Sequence, residues 1–169
     1  MTVDELDSLP DGAARDAFAA CCGAPRWVSR MMSARPFAAR TAVLNAADEA
    51  WRDLSPEDWA AAITYHPRIG ESRAAVRTSA RSDAWSADEQ SGVTGTDEAT
   101  RAAIADGNVE YERIFGHPFI ICAAGKSAHD LLAALRARLA HDASAELART
   151  AEELRKITML RLDKLLAGT

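Results

Sequence analysis

Apolar residues recur at helical spacing along almost the whole chain, and proline, glycine or a capping residue closes off each run. No two runs alternate in the way that would pair them as a β-hairpin. The one strand-like run, "HPFIICAAG", has about five apolar residues, too few to separate a strand from buried extended chain. The pattern predicts an all-α, single-domain helical bundle of about seven to nine helices, spanning residues 1–169.

Capping signals and the apolar spacing predict where individual helices begin and end. The first helices are expected near 11–22, from Pro25 to Arg35, from about Phe37 to Leu54, and from Pro56 to before Pro67. The later ones are expected from Ser86, from "TGTDEAT" to Phe115, from Ser127 to Leu139, and from Ser144 to about Leu166. Residues 71–85 fit either a loose helix or a loop.

Composition narrows the functional class. The net charge of −5 argues against nucleic acid, which usually binds a basic face. No apolar run approaches the roughly 20 residues of a membrane span, and the acidic start "MTVDELDSLPDG" is unlike a secretory signal. Cys21, Cys22 and Cys122 cannot form an even disulfide framework and include no CxxC motif, which favours the cytoplasm.

Arg161 is the sharpest physical anomaly. It falls within the stripe of the last helix that is formed by Leu147, Ala151, Leu154, Thr158, Leu162 and Leu165. The other basic residues of that helix fall off the centre of the stripe or opposite it. A guanidinium on a core face needs a partner. That partner could be an internal acid, or Arg161 could bind an anionic or amide-rich ligand in bidentate fashion.

His66 precedes Pro67, which pushes it towards extended backbone and turns its imidazole out of the helix path. Imidazole suits proton transfer near neutrality, yet His-Pro at a helix end is more often only a structural stop. His117-Pro118 in the same chain shows how weak the dipeptide is as a signal.

Two further stretches could face a ligand. A capping box explains Ser86 and Glu89, but Gln90 adds an amide that capping does not require. The run after His117 could offer backbone N–H and C=O groups to a flat heterocycle. Because HExxH, GxGxxG, Walker and GxSxG motifs are missing from the sequence, neither a bound metal nor a nucleotide is expected.

Taken in order and spacing, "HPRIGE", "WSADEQ", "NVEYERIFGHPFIICAAG" and "ELRKITMLRL" resemble the OHCU decarboxylase family. Members of that family act on 2-oxo-4-hydroxy-4-carboxy-5-ureidoimidazoline in uric acid degradation. The resemblance covers most of the chain. One departure is Ile114, where the family leads us to expect a basic residue before Phe-Gly.

The resemblance implies an all-helical, cofactor-free enzyme, commonly a homodimer, that forms (S)-allantoin and CO₂ from this small molecule. It implies that His66 and Glu89 are the catalytic pair and that Pro67 orients His66. The implied substrate-binding residues are Ser86, Gln90 and Arg161 through side chains, and Phe119, Ile120 and Ile121 through backbone groups.

Two alternatives stay open at this point. A ureide hydrolase or isomerase could use the same scaffold, because the motifs constrain the site better than the substrate. A non-catalytic helical ligand-binding module would instead pair Arg161 with an internal acid and pack His66 away from any pocket.

Overall fold

The computed structural model describes residues 1–66, 69, 84–85 and 96–167. Within these ranges the chain forms eight helices and no strand, so the all-α prediction is confirmed. They are α1 (Val3–Asp7), α2 (Asp11–Cys21), α3 (Pro25–Ser33), α4 (Arg40–Arg52), α5 (Pro56–Ile63), α6 (Glu98–Phe115), α7 (Ala128–Arg138) and α8 (Ala143–Leu166).

The chain divides into two compact units, Met1–Thr64 with Arg155–Thr169, and Tyr65–Leu154. The prediction of a single domain over 1–169 stays a prediction. In the part of the chain that the structure describes, no helix is both long enough and apolar enough to cross a membrane.

Side-chain caps begin several of the helices where the sequence predicts them. Ser55 accepts a hydrogen bond from the Asp58 backbone N–H, and the Asp58 carboxylate accepts one from the Ser55 N–H, the reciprocal pair of a capping box. Ser127 and Asp130 form the same motif at the start of α7. At its other end, α6 stops at Gly116, whose φ of 74° lies in the left-handed region that favours glycine.

In the first unit, an aromatic cluster organises the core. Phe18 packs edge-to-face on Trp27 and on Phe37, with ring centroids 6.2 and 6.3 Å apart. The Trp27 indole N–H donates to the Ala47 carbonyl at 3.0 Å, which ties α3 to α4. The polar atom of a fully buried tryptophan is thus satisfied inside the core.

The second unit has its own core around α6 and α7. Its buried members are Ile69, Ile104, Tyr111, Phe119, Ile121, Ala123, Ala128, Leu131, Leu132 and Leu135. Phe119, Ile121 and Ala123 alternate along the predicted strand-like run, which the structure leaves without helix, turn or bend from 118 to 123. The run is therefore buried extended chain, one of the two readings that its length allowed.

Two local predictions differ from the structure. The helix expected from Phe37 begins at Arg40, because the Phe37 N–H donates to the Asp7 carboxylate at 2.6 Å and so serves a long-range contact. The short helix α1, which the apolar spacing did not predict, depends on a capping box of Thr2 and Glu5.

Candidate active site

His66 follows the end of α5 at Ile63 and lies outside any helix, with 9% of its surface exposed. Ile69 follows at the next described position, and its carbonyl accepts a hydrogen bond from Asn108 Nδ2 at 3.0 Å. The α6 helix thereby holds the chain close to His66 through a buried side chain.

The oxygen atom of the Asn108 side-chain amide differs from the nitrogen in its hydrogen bonding. Asn108 is 5% exposed, and its Oδ1 atom has no hydrogen-bond partner within the described ranges. A buried polar atom left unpaired costs about 1–3 kcal/mol. Asn108 therefore keeps a buried acceptor that packing alone does not require.

The extended run that contains Phe119, Ile120 and Ile121 is held by two buried charged side chains. Arg138 Nη1 donates to the Ile120 carbonyl at 2.6 Å, and Glu153 Oε2 accepts from the Cys122 N–H at 2.9 Å. These two contacts fix the backbone on either side of Ile121.

Behind this run lies a polar cluster, made up of the buried residues Tyr111, Arg138, Glu146 and Thr150 and the exposed His141 at its edge. Arg138 Nε donates to Glu146 Oε1 at 2.6 Å and Arg138 Nη2 donates to Thr150 Oγ1 at 2.8 Å. The Tyr111 hydroxyl donates to the same carboxylate, and His141 Nδ1 lies 2.7 Å from its other oxygen.

The charges and hydrogen bonds of this polar cluster centre on one carboxylate, that of Glu146. Burial alone would raise the pKa of Glu146, but the hydrogen bonds from Arg138 and Tyr111 and the Arg138 charge hold that pKa below its ordinary value of 4.5. Burial, followed by donation to Glu146, raises the pKa of Tyr111 well above its usual range. Glu146 stays charged and Tyr111 stays a donor at neutral pH.

Arg161 lies on the second half of α8 and is 3% exposed, as its place in the apolar stripe predicts. Its Nη1 atom lies 3.4 Å from the Ala20 carbonyl oxygen. Burial raises the pKa of the neighbouring Cys22 thiol to about 11, despite hydrogen bonds with Ala24 and Thr158 and the positive charge of Arg161. A fixed, buried guanidinium is thus present in the first unit.

Pro67, Ser86, Glu89 and Gln90 lie outside the described residues. Their predicted roles stay predictions, and so does the meeting of His66, Glu89 and Arg161 around one substrate. Among the residues that are described, no three His, Cys, Asp or Glu side chains form a group that could hold a metal ion.

Sequence reasoning did not single out Arg138 and Glu153, the two charged side chains that support the extended run. A signal was present on α8, because Glu146, Thr150 and Glu153 recur at helical spacing and are all buried. The predicted stripe instead included Leu147, which is only half-buried. Buried acids at core spacing, opposite an arginine on a neighbouring helix, are the pattern that would have identified the pair.

The family model described as OHCU decarboxylase matches residues 7–163. The chain belongs to the OHCU decarboxylase family.

Curated relatives agree with this membership. The chain is 30% identical over 150 residues to the uric acid degradation bifunctional protein TTL of Arabidopsis thaliana, covering 89% of this chain and 46% of that protein. It is 34% identical over 77 residues to the 2-oxo-4-hydroxy-4-carboxy-5-ureidoimidazoline decarboxylase of Amia calva, covering 46% and 44% of the two chains. The corresponding Xenopus laevis decarboxylase is 25% identical over 138 residues, covering 82% and 78%. The chain thus spans less than half the length of the first two relatives.

Two solved structures share the fold. A crystal structure of OHCU decarboxylase in the presence of (S)-allantoin superposes with a TM-score of 0.77 at 30% identity, covering 90% of this chain and 99% of that one. A crystal structure of (S)-allantoin synthase superposes with a TM-score of 0.70 at 17% identity, covering 98% and 54%, and supports the fold alone.

Proposed function

We propose that the chain decarboxylates 2-oxo-4-hydroxy-4-carboxy-5-ureidoimidazoline to (S)-allantoin and CO₂. The observation that carries this proposal is the match along nearly the full length of a decarboxylase crystallised in the presence of (S)-allantoin. Family membership over residues 7–163 supports it. The buried His66 and the buried Arg161 guanidinium are the side chains that the reaction would need.

The chemistry needs no external electron sink. When the bond to the carboxylate breaks, CO₂ leaves and the electron pair stays on a carbon next to an imine or carbonyl, which accepts it. Neither pyridoxal nor thiamine is required for this, so we propose a cofactor-free reaction. The protein's task is to orient the carboxylate, stabilise the developing charge and direct one proton to one face.

We assign this task to three side chains. His66 and Glu89 hydrogen-bond to each other or to the substrate hydroxyl, and protonated His66 steers proton delivery. Arg161 binds the ureido or ring carbonyl end, a role that suits the planar fork of donors in a guanidinium. Pro67 orients His66, Ser86 and Gln90 bind the substrate through their side chains, and Phe119, Ile120 and Ile121 bind its ring amides through their backbone.

A direct assay tests the activity. The unstable substrate is made fresh from urate with urate oxidase and hydroxyisourate hydrolase, and (S)-allantoin formation is followed by circular dichroism together with CO₂ release. Optically active allantoin with CO₂ is the expected result. Ring opening without CO₂ would instead indicate a hydrolase or isomerase, and no turnover would indicate a binding module.

The catalytic pair is tested in the same assay. His66→Ala and Glu89→Ala should each lower kcat by roughly 10²–10⁴-fold, the usual contribution of a positioned acid or base. His129→Ala is the matched control, since this histidine is 74% exposed on α7. Near wild-type rates in both test variants would overturn the assignment.

We also propose a cytoplasmic homodimer. The cytoplasmic assignment is supported by Cys21 and Cys22, which are buried and not joined in a disulfide. The homodimer is supported by resemblance to the family. Light scattering coupled to size-exclusion chromatography measures the mass directly, and a monomer at assay concentration would contradict it.

A further inference from the structure

Two side-chain contacts enclose one residue of the extended run. Arg138 binds the Ile120 carbonyl at 2.6 Å and Glu153 binds the Cys122 N–H at 2.9 Å, so the residue between them, Ile121, has both neighbours fixed. The two charged side chains are buried, with 4% of Arg138 and 1% of Glu153 exposed.

The geometry of an extended chain decides where the Ile121 backbone points. In such a chain the N–H and C=O of one residue point to the same side, and those of its neighbours point to the other. Side-chain alternation agrees, because Phe119, Ile121 and Ala123 enter the core cluster and Ile120 and Cys122 do not. The Ile121 N–H and C=O therefore face away from Arg138 and Glu153.

Within the part of the chain that the structure describes, the Ile121 N–H and C=O serve no other backbone or side-chain group. The structure records no hydrogen bond between the Ile121 backbone and any residue that it describes. Ile121 is nonetheless 5% exposed, and buried backbone groups are nearly always paired. An adjacent N–H donor and C=O acceptor complement the N–H and C=O edge of an amide or urea.

We propose that Arg138 and Glu153 are positioning residues of the decarboxylase, which fix the Ile121 N–H and C=O towards an amide edge of the substrate. The inference rests on the proposed function and deepens it, because it says how the fold holds backbone groups for binding. Neither charged side chain touches the substrate.

The support behind each positioning residue differs. Arg138 is held in turn by Glu146 and Thr150, and its guanidinium lies 4.6 Å from the Phe119 ring centroid. Glu153 also pairs with Arg149 at 2.8 Å, and that arginine is about half exposed. Glu153 is the residue to vary first, because glutamine can restore the oxygen that accepts the Cys122 N–H.

The experiment compares Glu153→Ala with Glu153→Gln. Glutamine keeps an oxygen that can accept the Cys122 N–H, whereas alanine removes the acceptor. We expect kcat/KM to fall roughly 10–100-fold in the alanine variant, since small misplacements of binding groups cost about this much. The glutamine variant should restore most of the loss. Glu152→Ala, on the exposed side of α8, removes the same charge and should keep wild-type kinetics.

A binding readout separates positioning from general loss of structure. In ¹H–¹⁵N spectra, added (S)-allantoin should shift the Ile121 amide signal of the wild type and of Glu153→Gln, and leave that signal unmoved in Glu153→Ala. If Glu153→Ala does not fold, Arg138→Lys is assayed instead, because it keeps the charge while shortening the reach to Ile120, and the same fall is expected.

The outcomes are distinguishable. Suppose that the wild type turns over substrate and that Glu153→Ala, or Arg138→Lys in its place, has the same kinetics as Glu152→Ala. This result would overturn the positioning role and leave the decarboxylase proposal standing. Absence of wild-type turnover would overturn both. An Ile121 signal that shifts equally in all variants would also overturn the positioning role.

Discussion

The Arg138 guanidinium and the Glu146 carboxylate form an ion pair closed off from solvent, with Nε 2.6 Å from Oε1 and side-chain exposures of 5% and 0%. Removing one partner of a buried pair leaves the other charge without compensation, which costs about 3–5 kcal/mol. We therefore expect Glu146→Gln to lower the free energy of unfolding by about that amount in urea denaturation. Glu110→Gln breaks an exposed pair with Arg113 and should leave the midpoint unchanged. Equal effects in the two variants would contradict the prediction.

The same carboxylate should make stability depend on pH. Its folded pKa is lower than its ordinary value of 4.5, so ionised Glu146 stabilises the fold above that value. This contribution is lost as the pH falls below 4.5 and through the folded pKa. The difference in unfolding free energy between wild type and Glu146→Gln should be constant above about pH 5.5 and shrink in more acidic buffers. A difference that grew on acidification would have the wrong sign.

Gly116 and Gly12 provide a matched pair of glycine substitutions. An added Cβ meets nothing within 4 Å at either position, but only Gly116 has a positive φ, of 74°. Gly116→Ala should destabilise the fold by about 1 kcal/mol through backbone strain alone. Gly12→Ala, inside α2, should be neutral or stabilising by up to about 1 kcal/mol. Thermal unfolding by circular dichroism measures both, and an equal shift would refute the assignment to φ.

The Cys22 thiol should be unreactive in the folded protein. With its pKa raised to about 11 by burial, about one thousandth of Cys22 is thiolate at pH 8, and the group is 2% exposed. Iodoacetamide labelling followed by peptide mass spectrometry should leave Cys22 unmodified in buffer and modify it in urea. Rapid labelling of Cys22 without denaturant would show that this thiol, a neighbour of Arg161, is not buried in the folded protein.

Arg161 is the residue whose chemistry distinguishes ligand binding from packing. If its fork of donors binds the substrate, Arg161→Lys keeps the charge but should lower kcat/KM roughly 10–100-fold, the value of one or two charge-assisted hydrogen bonds. Arg136→Lys, on the exposed face of α7, is the control and should be unaffected. Full activity of Arg161→Lys with normal stability would favour a role as a general positive charge.

Local sequence signals predicted the helices well where a cap or a glycine ends them, as at Ser55, Ser127 and Gly116. They failed where a distant partner decides. Phe37 fits the apolar spacing of α4 but is kept out of that helix by the Asp7 carboxylate. The helix α1 has only Leu6 as a buried apolar residue, so it has no periodic pattern.

In the candidate site, too, the sequence predicted some residues and missed those whose role depends on a distant partner. The anomaly of Arg161 was visible, because a charge interrupts an apolar stripe and the residue is indeed buried. The role of Glu153 was not visible, because it depends on an extended segment that is remote in sequence. Its donor partner, the Cys122 N–H, is a backbone group that every residue type except proline carries. Helical periodicity can indicate that Glu153 is buried, but it does not indicate which backbone group its carboxylate binds.

Main-chain contacts have a consequence for mutational scanning. Replacing Ile120 or Cys122 by alanine leaves the carbonyl bound by Arg138 and the N–H bound by Glu153 in place. A scan of the extended run would therefore report mainly its packing, and its polar role would surface at positions 138 and 153, on other helices. Divergent members that preserve the packing could change the side chains of this run while the polar edge that it offers stays the same.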